Sequence, residues 1–142
     1  MASSILSVKT GLKDRLATID GARAYATVLP NPSDNALCVV GPQRWTYSRD
    51  FDGGVQYFFE VGIYLAPGDL VRAQTRLDAY LAPTGAASIK AAVEGGTAPF
   101  VGRLGGACDY ARVVGGTEYG RLVDVAGSQM LYAAVEVEVV AS

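Results

Sequence analysis

Val55-Gln-Tyr-Phe-Phe-Glu-Val-Gly-Ile-Tyr-Leu65 decides the fold class, because its odd positions are all apolar and its even positions are mixed. That period of two belongs to a strand with one buried face. Pro67-Gly68 ends it, and Asp69 is placed to cap a helix that runs to about Ala82, where Pro83 removes the donor needed to continue. Leu70, Ala73, Leu77 and Leu81, with Tyr80 beside them, fall on one side of this helix, and Arg72, Gln74, Arg76 and Asp78 fall on others. After Pro83-Thr-Gly85 the spacing predicts a second, short helix over Ala86 to Glu94 with Ile89, Ala92 and Val93 on its apolar side, stopped by Gly95-Gly96.

Outward from this unit, Ile5, Val8, Leu12 and Leu16 repeat at helical spacing and predict a helix over Ser4 to Ala17, capped by Ser3 or Ser4 and weakened by Gly11. A strand is expected over Arg23 to Leu29 and a loop over Pro30 to Asn35. Ala36 to Val40 reads as a short buried strand broken by Gly41-Pro42. Arg44 to Arg49 reads as a separate strand with Trp45 and Tyr47 on one face, joined to the 55–65 strand through an exposed Asp50 to Gly54 hairpin. Gly95 to Gly106 reads as a loop with a short strand near Phe100, Cys108 to Val114 as a strand, Gly115 to Gly120 as a turn or excursion, and Gly127-Ser128 as a further turn. Leu131, Ala133, Val135, Val137 and Val139 mark a second long strand over Met130 to Val140. The expectation is an α+β fold, a mainly antiparallel sheet with helices packed on one face, in a single domain spanning residues 1–142 without repeats or linkers.

Half of the 142 residues are hydrophobic, yet the apolar runs fall short of a membrane span, and Met-Ala-Ser-Ser does not begin a signal peptide. A cytosolic chain with buried thiols at Cys38 and Cys108, and no disulfide, is expected. A net charge of −2 gives no overall attraction to nucleic acid. The chain contains no histidine, which removes the serine and cysteine triads and most zinc sites. Glu60, Glu136 and Glu138 share the second face of the sheet, as a carboxylate pair or metal site requires, but alternating glutamate is also the ordinary way to keep a strand face wet. Asp50 and Asp52 lack the remaining ligands of a calcium loop, and the glycine clusters lack the order of a nucleotide site. No enzyme, cofactor or metal is expected. Phe58, Tyr64 and Tyr132 place aromatic rings on the same second face and predict burial by a partner or another copy.

Arg76-Leu-Asp-Ala-Tyr-Leu-Ala-Pro-Thr-Gly85 followed by Ser88-Ile-Lys-Ala-Ala-Val-Glu94 resembles the tail terminator (tail completion) proteins of long-tailed bacteriophages, especially those of actinobacterial hosts. Arg15-Leu-Ala-Thr-Ile19, Val39-Val-Gly-Pro42, the hairpin containing Phe51 and the final Tyr132 to Val140 strand fit the same pattern, so the resemblance spans most of the chain. It implies a virion protein of the tail and neck, assembled in the host cytoplasm. Six copies would form a ring that caps the head-proximal end of the tail tube, stops its polymerisation and offers a docking surface to the head connector. The implied partners are further copies of the chain, the major tail tube protein, the head-to-tail connector or stopper, the tape measure protein, and DNA passing through without specific binding. Another neck protein, connector or stopper, is the nearest alternative; a small carboxylate-dependent enzyme or ligand-binding domain, marked by an enclosed pocket joining Glu60 to Glu136, is the more distant one. Within such a ring, Phe51 and Asp52 of the hairpin, with Phe58, Tyr64 and Tyr132, are candidate subunit contacts, and Glu60, Glu136 and Glu138 are candidate lumen residues that would keep DNA phosphates from sticking.

Overall fold

The computed structural model describes residues 5–27, 34–47, 54–125 and 127–141. Five strands, β1 (Arg23–Tyr25), β2 (Ala36–Tyr47), β3 (Val55–Leu65), β4 (Tyr110–Val125) and β5 (Ser128–Ala141), form one sheet in the order β1-β2-β3-β5-β4. All pairings are antiparallel except β1 with β2. Helices α1 (Ile5–Leu16), α2 (Leu70–Leu81) and α3 (Ile89–Glu94) pack against the sheet, giving the expected α+β fold. The proposed α1 caps, the end of the first strand and the Ser48–Gly53 part of the hairpin, Phe51 and Asp52 included, lie outside the described residues.

The core follows from the alternation in β3. Its odd residues meet the odd residues of β5 rung by rung, Phe59 against Val137, Val61 against Val135 and Ile63 against Ala133, and these positions are buried against Leu12 and Leu16 of α1, Leu77 of α2 and Val93 of α3. α2 begins where Asp69 accepts a hydrogen bond from the Arg72 amide, and it buries Ala73, Leu77 and Tyr80. Leu70, expected on that face, is exposed: the spacing 73, 77, 80 turns the buried stripe toward Tyr80, whose hydroxyl donates to Asn35 Oδ1 at 3.2 Å. α3 is shorter than the 86–94 span. Buried Ser88 caps it by accepting from the Ala91 amide, while its hydroxyl donates to the Ala82 carbonyl at the end of α2. Arg15 of α1 donates from Nε to the Ala92 carbonyl at 2.8 Å, locking the first helix to the last.

Three expected breaks are resolved differently. Gly41-Pro42 does not end a strand; β2 continues through it with register shifts on either side, Gly41 at φ +123°. Since β1 pairs only with Ala36 to Cys38, among the described residues β2 has no outer neighbour at Pro42, which is where a strand tolerates proline. Gly115 to Gly120 likewise is no turn between elements. β4 runs through it, absorbing the extra residues as irregularities at Val113/Gly115 and Thr117/Arg121, with Glu118 and Gly120 at positive φ. Phe100 lies in no strand; the 95–106 segment closes instead with a single 3-10 turn over Leu104–Gly106 that packs on α1.

Candidate functional site

The second face of the sheet, away from the helices, is built of rungs that cross four strands. Arg44, Phe58, Glu138 and Arg112 make one rung; Gly41, Glu60, Glu136 and Gly115 the next; Cys38, Gly62, Ala134 and Thr117 a third; Ala36, Tyr64, Tyr132 and Arg121 a fourth. Phe58, Glu60, Tyr64, Tyr132, Glu136 and Glu138, six of the candidate residues, are therefore contiguous.

Small side chains on the third rung make room for large ones on the fourth. A Cβ on Gly62 would stand 3.2 Å from a ring carbon of both Tyr64 and Tyr132, so the two rings lie over that glycine. Their centroids are 5.1 Å apart with the planes tilted by 59°. Burial raises the pKa of the Tyr132 phenol, with the Glu60 carboxylate adding to the effect, and burial raises that of Tyr64 in the same way. These rings cover what would otherwise be bare backbone, and Ala134 and Cys38 beside them are buried.

The glutamates are less bare than a row of acidic residues implies. Glu60 stands directly across from Glu136, a like-charge pairing that is unfavourable by itself. Arg44 relieves it: its guanidinium is 3.6 Å from Glu136 and lies 3.8 Å above the Phe58 ring, a cation–π contact. Arg112 pairs with Glu138 at 3.1 Å, and the hydrogen bond to that carboxylate raises the arginine pKa. Both arginines face solvent, so water screens each pair and neither contributes much to stability. A depression of about 180 Å³ joins Glu60 and Glu136, with Gln43, Arg44 and Phe58 on its walls. It is below the size of small-molecule pockets, about 300 Å³ and upward, and nearly half of the Glu136 side chain is open to water.

A second concavity, about 580 Å³, lies on the helix side between the irregular middle of β4 and the ends of α2 and α3. Its walls are mainly apolar, with Tyr80, Leu81, Pro83 and Ile89 opposite Val113, Val114 and Tyr119. Tyr119 donates a hydrogen bond to Asp78 of α2, and Glu118 forms an ion pair with Arg121. Lys90 and the Val113 amide both bind Glu94, which holds α3 to the edge of β4. The sequence alone gave no sign of this cleft, because the signal lies in the bulged 114–121 segment that composition reads as a turn.

A second missed feature is the far end of the β2–β3 hairpin. Trp45 and Tyr47 sit opposite Tyr57 and Val55, on the helix side of the sheet, yet Trp45 is 51% and Tyr47 74% exposed: the helical layer ends short of them. Cys38 and Cys108 are buried thiols and form no disulfide, as expected. Among the described residues no group of three or more histidine, cysteine, aspartate or glutamate side chains is placed to hold a metal, and no helix is long and apolar enough to cross a membrane. Comparison of the chain with models of known protein families and with curated proteins finds no match.

Proposed function

We propose that the chain is a virion structural protein, a tail-terminator-like subunit whose copies close a ring, six by the resemblance, on the head-proximal end of a long-tailed phage tail tube. The ring stops tube growth and presents its other side to the head connector or stopper. The tape measure protein contacts it from the tube, and DNA passes through the lumen. Assembly takes place in the host cytoplasm and the finished ring stays in the virion neck.

The observation that carries this reading is the placement of uncovered apolar surface at opposite edges of one sheet. Trp45 and Tyr47 project beside β2, while Val114, Tyr119 and Leu122 are exposed along β4. A surface that differs at its two ends associates head to tail, and head-to-tail contacts close into rings when the rotation between neighbours allows it. The motif over Arg76–Glu94 supports the choice of ring: it forms the second half of α2, the link and α3, the layer that carries one wall of the helix-side cleft. For the second face, the arginine pairs leave Glu60, Glu136 and Glu138 with one net negative charge against Arg44 and Arg112. Arg121 on the same face is paired with Glu118, so among the described residues each arginine there has a carboxylate partner, and a lumen lined this way repels phosphate weakly.

Native mass spectrometry across a concentration range tests ring closure, with a closed species near six copies expected. Adding the protein to polymerising tail tube protein tests the capping role: tubes measured by electron microscopy should shorten as the ring is titrated in. Tube lengths that do not respond would remove the terminator reading and leave a ring acting elsewhere in the neck.

A further inference from the structure

We propose that Trp45, with Tyr47 beside it, is the lateral anchor of one subunit and docks into the apolar cleft between β4 and the α2–α3 layer of the next copy of this chain. The inference rests on the ring reading and names the contact that closes it.

Both halves are present in each chain and cannot meet within it. The hairpin end lies at the β2 edge and the cleft at the β4 edge, with β3 and β5 between them. They are on the same side of the sheet, since Trp45 pairs across from core residue Tyr57 and the cleft is walled by α2 and α3. Repetition from chain to chain by a simple rotation therefore brings one against the other. The cleft, about 580 Å³, falls in the size range that accepts whole small molecules and has room for an indole with part of a phenol.

Area supports a second copy as the occupant. At their present exposure Trp45 and Tyr47 leave on the order of 250 Å² of aromatic surface in water, since each such ring buries about 150–250 Å² when fully covered. A standard interface takes about 800 Å² from each partner. The pair thus supplies about a third of one side, and tryptophan and tyrosine are among the residues enriched as energetic anchors in stable complexes. The exposed end of β2 and the exposed part of β4 extend the contact around that centre. A strand-to-strand seam is not required, and Pro42 on the β2 edge argues against one.

Trp45 is the chain's one tryptophan, so its fluorescence reads this contact directly. Emission is followed across the concentration range in which native mass spectrometry detects assembly, and it should move to the blue in step with ring formation. Trp45→Ala and, in the cleft wall, Val114→Lys should each raise the concentration for half-assembly at least about tenfold. Mixing the two variants is the decisive arm. The Val114→Lys subunit keeps its tryptophan and the Trp45→Ala subunit keeps its cleft, so the mixture should form heterodimers with blue-shifted emission, and neither variant alone should. Rings whose Trp45 emission stays where the dilute protein has it, or a mixture that gives no heterodimer, would overturn this contact and leave the ring reading standing. A wild-type chain that never assembles would overturn both.

Discussion

Gly11 sits in the middle of α1, where glycine is about 1 kcal/mol less favourable than alanine. Its neighbours explain why it is there: a Cβ at this position would stand 2.8 Å from the Leu104 carbonyl oxygen and 2.9 Å from Ala107 Cβ. The helix and the 3-10 turn approach so closely that only a hydrogen fits. Gly11→Ala should therefore lower stability by about 1–2 kcal/mol in urea unfolding, because overpacking against backbone, about 1–3 kcal/mol, outweighs the gain in helix propensity. Titration behaviour follows from burial in the same direct way. Burial pushes the Cys108 thiol from an ordinary 9.0 up to about 11, and it raises the Tyr132 phenol above its usual 10.0. Between these values the unfolded chain has lost protons that the folded chain retains, so stability falls as pH rises, beginning near pH 9. The thiol's share is on the order of 2 kcal/mol by pH 11. Melting temperatures should be level up to about pH 9 and fall beyond it. Cys108→Ala should flatten the first part of that fall and Tyr132→Phe, which keeps the ring over Gly62, the later part.

Among the elements, β4 depends most on what is packed beside it. It is an edge strand, and on its outer side Val113 donates its amide to Glu94 of α3 while the Ala111 amide donates to the Gly102 carbonyl. Glu94→Ala should leave the Val113 N–H without its partner and release Lys90, a loss of about 1–3 kcal/mol, with faster amide exchange at Val113 and its neighbours. Glu94→Gln retains an acceptor oxygen and should recover most of it. Such support also marks where sequence patterning stops being informative. β3, β5 and α2 were legible to within a few residues, since each buries one face and alternation or helical spacing records which. β4 was not, because neither face of its 114–125 stretch is deeply buried and glycines carry it through two irregularities. β2 was read as two strands for a related reason: Gly41-Pro42 is a break by local chemistry, and only the missing outer neighbour turns it into a bulge. On the second face, the six residues from Phe58 to Glu138 could be placed together from parity alone. Their arginine partners could not, since Arg44 reaches its rung only through the shifts in β2, and Arg112 only through the β4–β5 register. The cleft depends on tertiary packing and left no periodic trace.

At the scale of the whole molecule, β5 holds the sheet together, pairing with β3 along its length on one side and with β4 on the other. Its final residues carry both partners: Val137 and Val139 meet Phe59 and Tyr57 across one ladder and Val113 and Ala111 across the other, and both valines are fully buried. This arrangement couples the N-terminal half, β1 through β3, to a hairpin that begins at Tyr110, well after β3 ends at Leu65, so neither half has a complete core without the other. Removing Glu136 to Ser142 would take away two buried valines, worth about 1.5–3 kcal/mol each, uncover their partners Phe59 and Tyr57, and strip the ladder from Val55–Glu60 and from Tyr110–Gly115 together. With net backbone hydrogen bonding of about 1 kcal/mol per bond added, the loss is comparable with the whole stability of a domain this size, about 5–15 kcal/mol. A chain truncated after Val135 should therefore lose its cooperative melting transition and its native far-UV circular dichroism, not merely melt earlier. If it instead melts cooperatively at a lower temperature, β1 to β3 and the helices form a core without the end of β5, and the two halves are not coupled in this way.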